Sequence, residues 1–427
     1  MNILLIGNGG REHAIAWKLA QSSRIEQIFI APGNAGTALE DKCINIDINV
    51  DEIDNLIDFA KTNQITLTIV GPELPLSLGI VDQFTAHDLA CFGPTQAASQ
   101  LETSKAFCKA FAEKYQIPTA KAQTFTELES ALAYAKQHDY PMVVKADGLA
   151  QGKGVVIAQN FDEARDAIND MLAHNKFGNA GQKVIIEQFL KGEEASYFVI
   201  ADGKNFLTLS SAQDHKARDN QDKGPNTGGM GAYSPAPLVD DALETKIIEQ
   251  IIKPTLAGMA KENLPYQGFL FAGVMVVDNQ PYLLEYNCRL GDPETQVLMP
   301  RLKTDLLALI QAATQQQLSE QKVEWDPQTA LTVVMCAKGY PFAYAKNDHI
   351  AGLNDINSKH GYKVFFAGAK MQDDKILTNG GRVLAVTCLA KNVAIAQQNA
   401  YHIVKQINWP GVFYRTDIGY KAISSMI

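Results

Sequence analysis

Val143-Val144-Lys145-Ala146-Asp147-Gly148-Leu149-Ala150-Gln151-Gly152-Lys153-Gly154-Val155-Val156-Ile157 reads as an apolar strand, a glycine-rich loop and a second apolar strand. The loop is not a P-loop, because Gly154 runs into Val155 and a strand, without the Lys-Ser pair and helix which that motif requires. Two strands joined by flexible glycines form a hairpin flap whose N–H groups can close over phosphates. Lys145 at the end of the first strand would pair with them, as a strand lysine does beneath the kinase glycine loop. A plain glycine-rich hairpin is the bland alternative.

Upstream of this hairpin, short apolar runs alternate with helical patterns. Strands are expected at Ile3–Gly7, Gln27–Ala31, Leu67–Gly71 and Leu89–Gly93, and helices at Glu12–Ala20, Ile53–Lys61 and Leu76–Ala86. That alternation predicts a doubly wound parallel sheet over residues 1–103, with function at the carboxyl ends of its strands. Gly7-Asn8-Gly9-Gly10-Arg11-Glu12-His13 lies at such an end and opens a helix, which suits an anion. It fails the dinucleotide fingerprint, since Glu12 stands where a third glycine would let helix and strand approach closely. A phosphate turn and an ordinary tight turn both remain open here, with a nicotinamide dinucleotide the least favoured reading.

A helix over 103–115 leads into a second unit, residues 104–325, with a lid at about 120–190 and strands at Met142–Asp147, Val155–Gln159, Lys183–Gln188, Ala195–Ala201, Phe206–Ala212, Phe271–Asp278 and Tyr282–Asn287. Helices are expected at Glu127–His138, Asp162–His174 and Leu302–Gln315. Asp219–Pro237 reads as an irregular glycine-rich loop, of a length more often functional than a spacer. Residues 326–427 form a small third α/β unit, with strands at Ala330–Ala337, Lys363–Ala367 and Arg382–Leu389 and a helix near Val393–Ile407. The fold class is α/β throughout.

The last strand of the second unit runs into Glu285-Tyr286-Asn287-Cys288-Arg289-Leu290-Gly291-Asp292-Pro293-Glu294-Thr295-Gln296. Alternate residues of a strand share a face, so Glu285, Asn287 and Arg289 are expected to point the same way. A carboxylate beside an amide oxygen is a hard donor set suited to Mg²⁺, which shares its remaining positions with phosphates and water. An arginine on that face is a fork for phosphoryl or carboxylate oxygens. A solvated polar strand end is the competing reading for any one of the three.

The 427 residues are 46% hydrophobic and 20% charged, ordinary for a globular protein, and the net charge of −9 carries no basic run, so nucleic acid is not an expected partner. An anionic substrate must be held by local lysines, arginines and N–H groups. Six scattered cysteines without a Cys-x-x-Cys pair suggest neither zinc nor disulfides. The opening Met1–Gly7 enters a strand directly and no apolar run reaches membrane length, so a cytoplasmic location and no membrane partner are expected. Asp214-His215 invites a hydrolase triad, but no G-x-S-x-G elbow occurs. His13 and His215 are therefore expected to be hydrogen-bonding residues.

Together these motifs, with Gly224-Pro225-Asn226-Thr227-Gly228-Gly229-Met230-Gly231-Ala232-Tyr233-Ser234-Pro235, resemble the ATP-grasp superfamily and, within it, the phosphoribosylamine–glycine ligase (glycinamide ribonucleotide synthetase) family, over essentially the whole chain. The resemblance implies that ATP phosphorylates the glycine carboxylate and the amine of 5-phosphoribosylamine attacks the acyl phosphate, in purine biosynthesis. It implies ATP contacts at Lys105 and Lys145, a flap at Gly148–Gly154 including Gly152 and Lys153, adenine at Glu187 and the Leu190 backbone, and ribose at Glu194. It further implies Mg²⁺ or Mn²⁺ at Glu285 and Asn287, with Arg289, Asp292 and Lys145 as catalytic groups. The substrates would meet Gly9, Gly10, Arg11 and Glu73, then Asp214, Lys216 and Asn226–Gly228 (with Thr227 between), then Arg289, Gly291, Asp292 and Arg382. Many grasp enzymes carry a second acidic ligand on the preceding strand, roughly where Val274-Met275 stand here. Expected partners are ATP, glycine and 5-phosphoribosylamine, acting on a monomer, and the fused activities of some eukaryotic relatives are not expected. Another ATP-grasp carboxylate–amine ligase or a transformylase is the alternative.

Overall fold

A computed structural model describes residues 1–149, 154–174, 176, 181–355 and 361–424. Gly152 and Lys153, two of the expected flap contacts, lie outside the described residues. The N-terminal sheet is five-stranded and parallel, in the order Cys43–Asn45, Gln27–Pro32, Asn2–Gly7, Ile65–Val70, Cys91–Phe92. Its middle strands are buried on both faces, which is why they read as continuous apolar runs. The order reverses between Asn2–Gly7 and Ile65–Val70. Their carboxyl ends deliver Arg11 and Glu73, so the cleft of this domain opens where doubly wound sheets place their ligands.

Glu12 fills that cleft's floor. Gly7 (φ 129°) and Gly71 leave room for it: a Cβ on either would overlap the Glu12 side chain. The carboxylate accepts the Gly9 N–H at 2.7 Å and the Arg11 Nε–H, so the first turn of helix Gly10–Ala20 is capped by the chain's own anion. Glu12 thus removes the close helix–strand approach that a dinucleotide needs.

Two four-stranded sheets make the central region. The flap sheet, ordered Ala122–Phe125, Val184–Gln188, Met142–Ala146, Val155–Ala158, packs on helices Leu128–Gln137 and Phe161–Ile168 around its own small core. The second, ordered Phe206–Thr208, Glu193–Asp202, Gln267–Val277, Gln280–Asn287, is antiparallel and ends at the metal-ligand candidates. A helical stretch absent from the sequence reading, Asp241–Ile247 to Lys253–Lys261, covers it.

The third sheet runs Gln213–Asp214, Gly231–Ser234, Thr329–Cys336, Arg382–Ala390, Tyr362–Phe366 and is antiparallel. Two of its strands precede residue 326, so the stretch expected as an irregular loop is partly sheet. Between those strands, Ala217–Asp219 and Lys223–Asn226 pair as a hairpin. Arg415, fully buried, pins it: Nε and Nη2 grip Asp417 at 2.8 and 2.9 Å, while Nη1 reaches Asp222 at 2.8 Å and the Ala217 carbonyl at 3.1 Å. Lys421 and the Tyr420 hydroxyl close on the same Asp222. Arg415→Ala would strip Asp417 of its cation and leave Asp222 to Lys421 and Tyr420, a loss of about 3 kcal/mol. The expected result is a lowered denaturation midpoint in urea, and an unchanged midpoint would show the cluster to be idle.

Candidate active site

A cavity of about 470 Å³ lies where the three units meet, lined from Arg11 and Glu73 on one side to Gly154, Val155 and Ile157 of the flap sheet on the other. That volume suits a nucleotide-sized ligand. It gathers nearly all the expected residues: Lys105, Lys145, Gly148, Gly154, Glu187, Leu190, Glu194, Asp214, Lys216, Asn226, Thr227, Gly228, Glu285, Asn287, Arg289, Gly291, Asp292 and Arg382. Gly9 and Gly10 are not on its wall; a Cβ on Gly9 would meet Glu12 and Asp292, and one on Gly10 would meet Gln296.

Under the flap, Glu187 is 2% exposed and one of its oxygens, Oε2, sits 2.9 Å from the Lys145 ammonium and 3.3 Å from Lys109. Its other oxygen, Oε1, is buried with no partner among the described residues. A buried unpartnered carboxylate oxygen is costly, and a donor group of a ligand would relieve it. Apolar Val143, Val155, Ile157, Phe189 and Leu284 line the same part of the cavity, the surroundings a flat base requires. Burial works against the Lys145 ammonium, yet Glu187 and Glu285 hold its pKa above the usual lysine range. Lys109 is one helical turn beyond Lys105 in Lys105–Lys114, so i,i+4 spacing would have found it.

Glu285 is the electrostatic hub. Burial alone would raise its pKa, but Lys216, Lys145, Lys105 and Arg289 bring it below the usual range. Lys105 Nζ donates to the Gly148 carbonyl at 3.0 Å, and Lys216 pairs with Glu194 at 3.0 Å. The strand facing Glu285 offers Gly273, not Val274: a bulge shifts the register so that Val274 pairs with Leu283. Among the described residues no cluster of three or more His, Cys, Asp or Glu could hold a metal alone. Glu285 and Asn287 are hard oxygen donors and fit a divalent cation that shares its shell with phosphates.

Arg289 departs from the simple alternation. The strand ends at Asn287, and Arg289 lies beyond it. Its Nε donates to Glu73 at 2.8 Å, its Nη1 to the Leu290 carbonyl at 3.2 Å, and its Nη2 lies 2.9 Å from Glu102. The Arg289 guanidinium pulls the Glu73 carboxyl down to about 2, against burial. Asp292 accepts from the Arg11 N–H at 3.2 Å and from Gln296 at 2.9 Å, with Arg382 Nη1 3.4 Å away. Arg382 Nη1 also reaches the carbonyls of Gly228 and Asp292, tying the third sheet to two site loops.

The histidines are structural. His13 is buried, its Nδ1 accepting the Phe366 N–H at 2.7 Å while Nε2 faces Glu40 at 2.9 Å. His215 Nε2 accepts the Gly419 N–H at 2.9 Å. Neither lines the cavity. With no activated nucleophile among the described residues and a cleft of paired lysines, arginines and carboxylates, the site is built for positioning and charge neutralisation.

A hairpin sheet folded over an antiparallel sheet, with such a cleft between them, defines an ATP-grasp ligase. Models of phosphoribosylglycinamide synthetase match residues 1–102 (N domain), 103–295 (ATP-grasp domain) and 330–421 (C domain). The chain belongs to the phosphoribosylglycinamide synthetase family. It is 55% identical to a phosphoribosylamine–glycine ligase of Vibrio parahaemolyticus and 53% identical to one of Pseudomonas syringae, each alignment covering 99% of this chain and 99% and 98% of the relative. A crystal structure of phosphoribosylamine–glycine ligase from Thermotoga maritima superposes with a TM-score of 0.86 at 32% identity, over 98% of this chain and all of that one. A biotin carboxylase from Campylobacter jejuni shares the fold at 17% identity, with a TM-score of 0.74 over 96% of this chain and 92% of that one. No helix among the described residues is long and apolar enough to cross a membrane.

Proposed function

We propose that this chain joins glycine to 5-phosphoribosylamine using ATP, through a glycyl phosphate, giving glycinamide ribonucleotide, ADP and phosphate in purine biosynthesis. The observation that carries the placement of ATP is the unpartnered Glu187 Oε1 beside an apolar cleft and two lysines. An adenine amino group donates to that oxygen, the Leu190 backbone borders the base, and Glu194 takes the ribose. Lys105 and Lys145 then face the phosphates, beneath the flap that includes Gly148 and Gly154.

Glu285 and Asn287 would hold Mg²⁺ or Mn²⁺. Four cations already stand near Glu285, which disfavours a free divalent ion, so Glu285 and Asn287 would hold the metal only together with the polyanionic nucleotide. When bound it neutralises charge on the transferring phosphoryl group. Arg289 orients the glycine carboxylate oxygen for attack on the γ-phosphorus and steadies the resulting acyl phosphate. Asp292 offers an acceptor for glycine's ammonium, while Arg11, Glu73, Asn226–Gly228 and Arg382 surround the ribosylamine. The working unit is a monomer in the cytoplasm.

The test is ADP release with glycine and freshly prepared phosphoribosylamine, each omitted in turn. Release is expected only when both are present. Release driven by another acceptor, with phosphoribosylamine inert, would transfer the reading to a different carboxylate–amine ligase.

A further inference from the structure

Glu102 is 9% exposed and lies on the cavity wall, at the end of the short helix Gln100–Thr103 that precedes Lys105. Its Oε1 stands 2.9 Å from Arg289 Nη2, and its Oε2 accepts the Cys288 N–H at 2.7 Å. One carboxylate therefore holds both the backbone and the side chain of adjacent residues just past the Glu285–Asn287 strand. Glu73, from the N-terminal domain, grips the same guanidinium at Nε. Burial lifts the Glu102 carboxyl to about 7 against the pull of Arg289, so keeping a charge here is costly. The Cys288 N–H alone would be satisfied by any neutral acceptor. Among the described residues, the only ion pair Glu102 makes is with Arg289.

We propose that Glu102 is a positioning residue of the ligation: with Glu73 it clamps Arg289 from two sides and fixes the edge that Arg289 turns toward the reacting carboxylate and phosphoryl oxygens. This rests on the role given to Arg289 above. A guanidinium fixed in advance loses little freedom when the acyl phosphate forms, whereas a loosely held one must be ordered during the reaction. Sequence offers no signal for it, because a glutamate on a polar helical segment looks like a solvated one.

The test compares Glu102→Gln, Arg289→Lys and the double variant in the ADP-release assay, with ATP affinity measured by calorimetry. The amide introduced by Glu102→Gln offers only one oxygen where two donors must be met. Glu102→Gln is expected to lower kcat by about tenfold or more while ATP affinity stays within about threefold, and the double variant is expected to be little worse than Arg289→Lys alone. Should Glu102→Gln fail to fold, Glu102→Asp keeps the charge but shortens the reach, and the same non-additivity is expected of it. Wild-type kcat in the single variant, or losses that multiply in the double variant, would overturn the inference while leaving the ligase reading intact. An inactive wild type would overturn the ligase reading and this inference with it.

Discussion

Glu285→Gln is expected to retain the fold and lose roughly 100-fold in kcat, about 3 kcal/mol of transition-state stabilisation. Glutamine matches glutamate in shape, so the strand Gln280–Asn287 and its pairing with Gln267–Val277 have no reason to move. What changes is charge. In the parent, the carboxylate stands in the field of Lys216, Lys145, Lys105 and Arg289, and on the proposed reading it would present an anionic oxygen to the metal beside Asn287. An amide does neither, leaving two neutral oxygens as protein ligands and a more positive cavity. Steady-state ADP release across a magnesium titration checks this. Near-normal turnover at saturating magnesium would remove Glu285 from the metal shell.

Arg289→Lys is expected to lower kcat by roughly 100-fold or more, with ATP affinity within a few-fold of the parent. Three nitrogens of Arg289 are engaged, by Glu73, Leu290 and Glu102. A lysine brings one nitrogen, which cannot meet both carboxylates and still face the substrates as a fork. The residues proposed to meet the nucleotide, Lys105, Lys145 and Glu187, stand on other elements and keep their own contacts. Affinity and rate should therefore separate. Calorimetry of ATP binding beside turnover measures both, and equal losses in the two would mean that Arg289 binds ATP in its ground state instead.

The parallel sheet is legible because strands buried on both faces announce themselves as apolar runs, and the flap because two such runs bracket glycines. The helical pattern over Leu76–Ala86 reads as one piece, yet Gly79, at φ 79°, divides it into Glu73–Ser77 and Ile80–Ala86. The short edge strand Cys43–Asn45 has too few residues to show a period. The hairpin within 217–226 is invisible for another reason: its strands are polar and glycine-bearing, and Arg415, nearly two hundred residues away, holds it. Strand alternation places Glu285 and Asn287 together, but Arg289 reaches the same cavity through its tethers to Glu73 and Glu102. Those tethers join segments far apart in the chain, and no local pattern encodes them.

The most direct test of glycyl phosphate formation is the fate of the glycine oxygens. The carboxylate oxygen that attacks the γ-phosphorus becomes the bridge of the acyl phosphate. When the ribosylamine nitrogen attacks the carbonyl carbon, the carbon–oxygen bond breaks and the bridging oxygen leaves with phosphate. Glycine labelled with oxygen-18 in its carboxylate, turned over with ATP and phosphoribosylamine, is expected to yield inorganic phosphate carrying one labelled oxygen per molecule, detected by mass spectrometry. Unlabelled phosphate from the same turnover would show that the glycine carboxylate is never phosphorylated, and would contradict the mechanism assigned to this site.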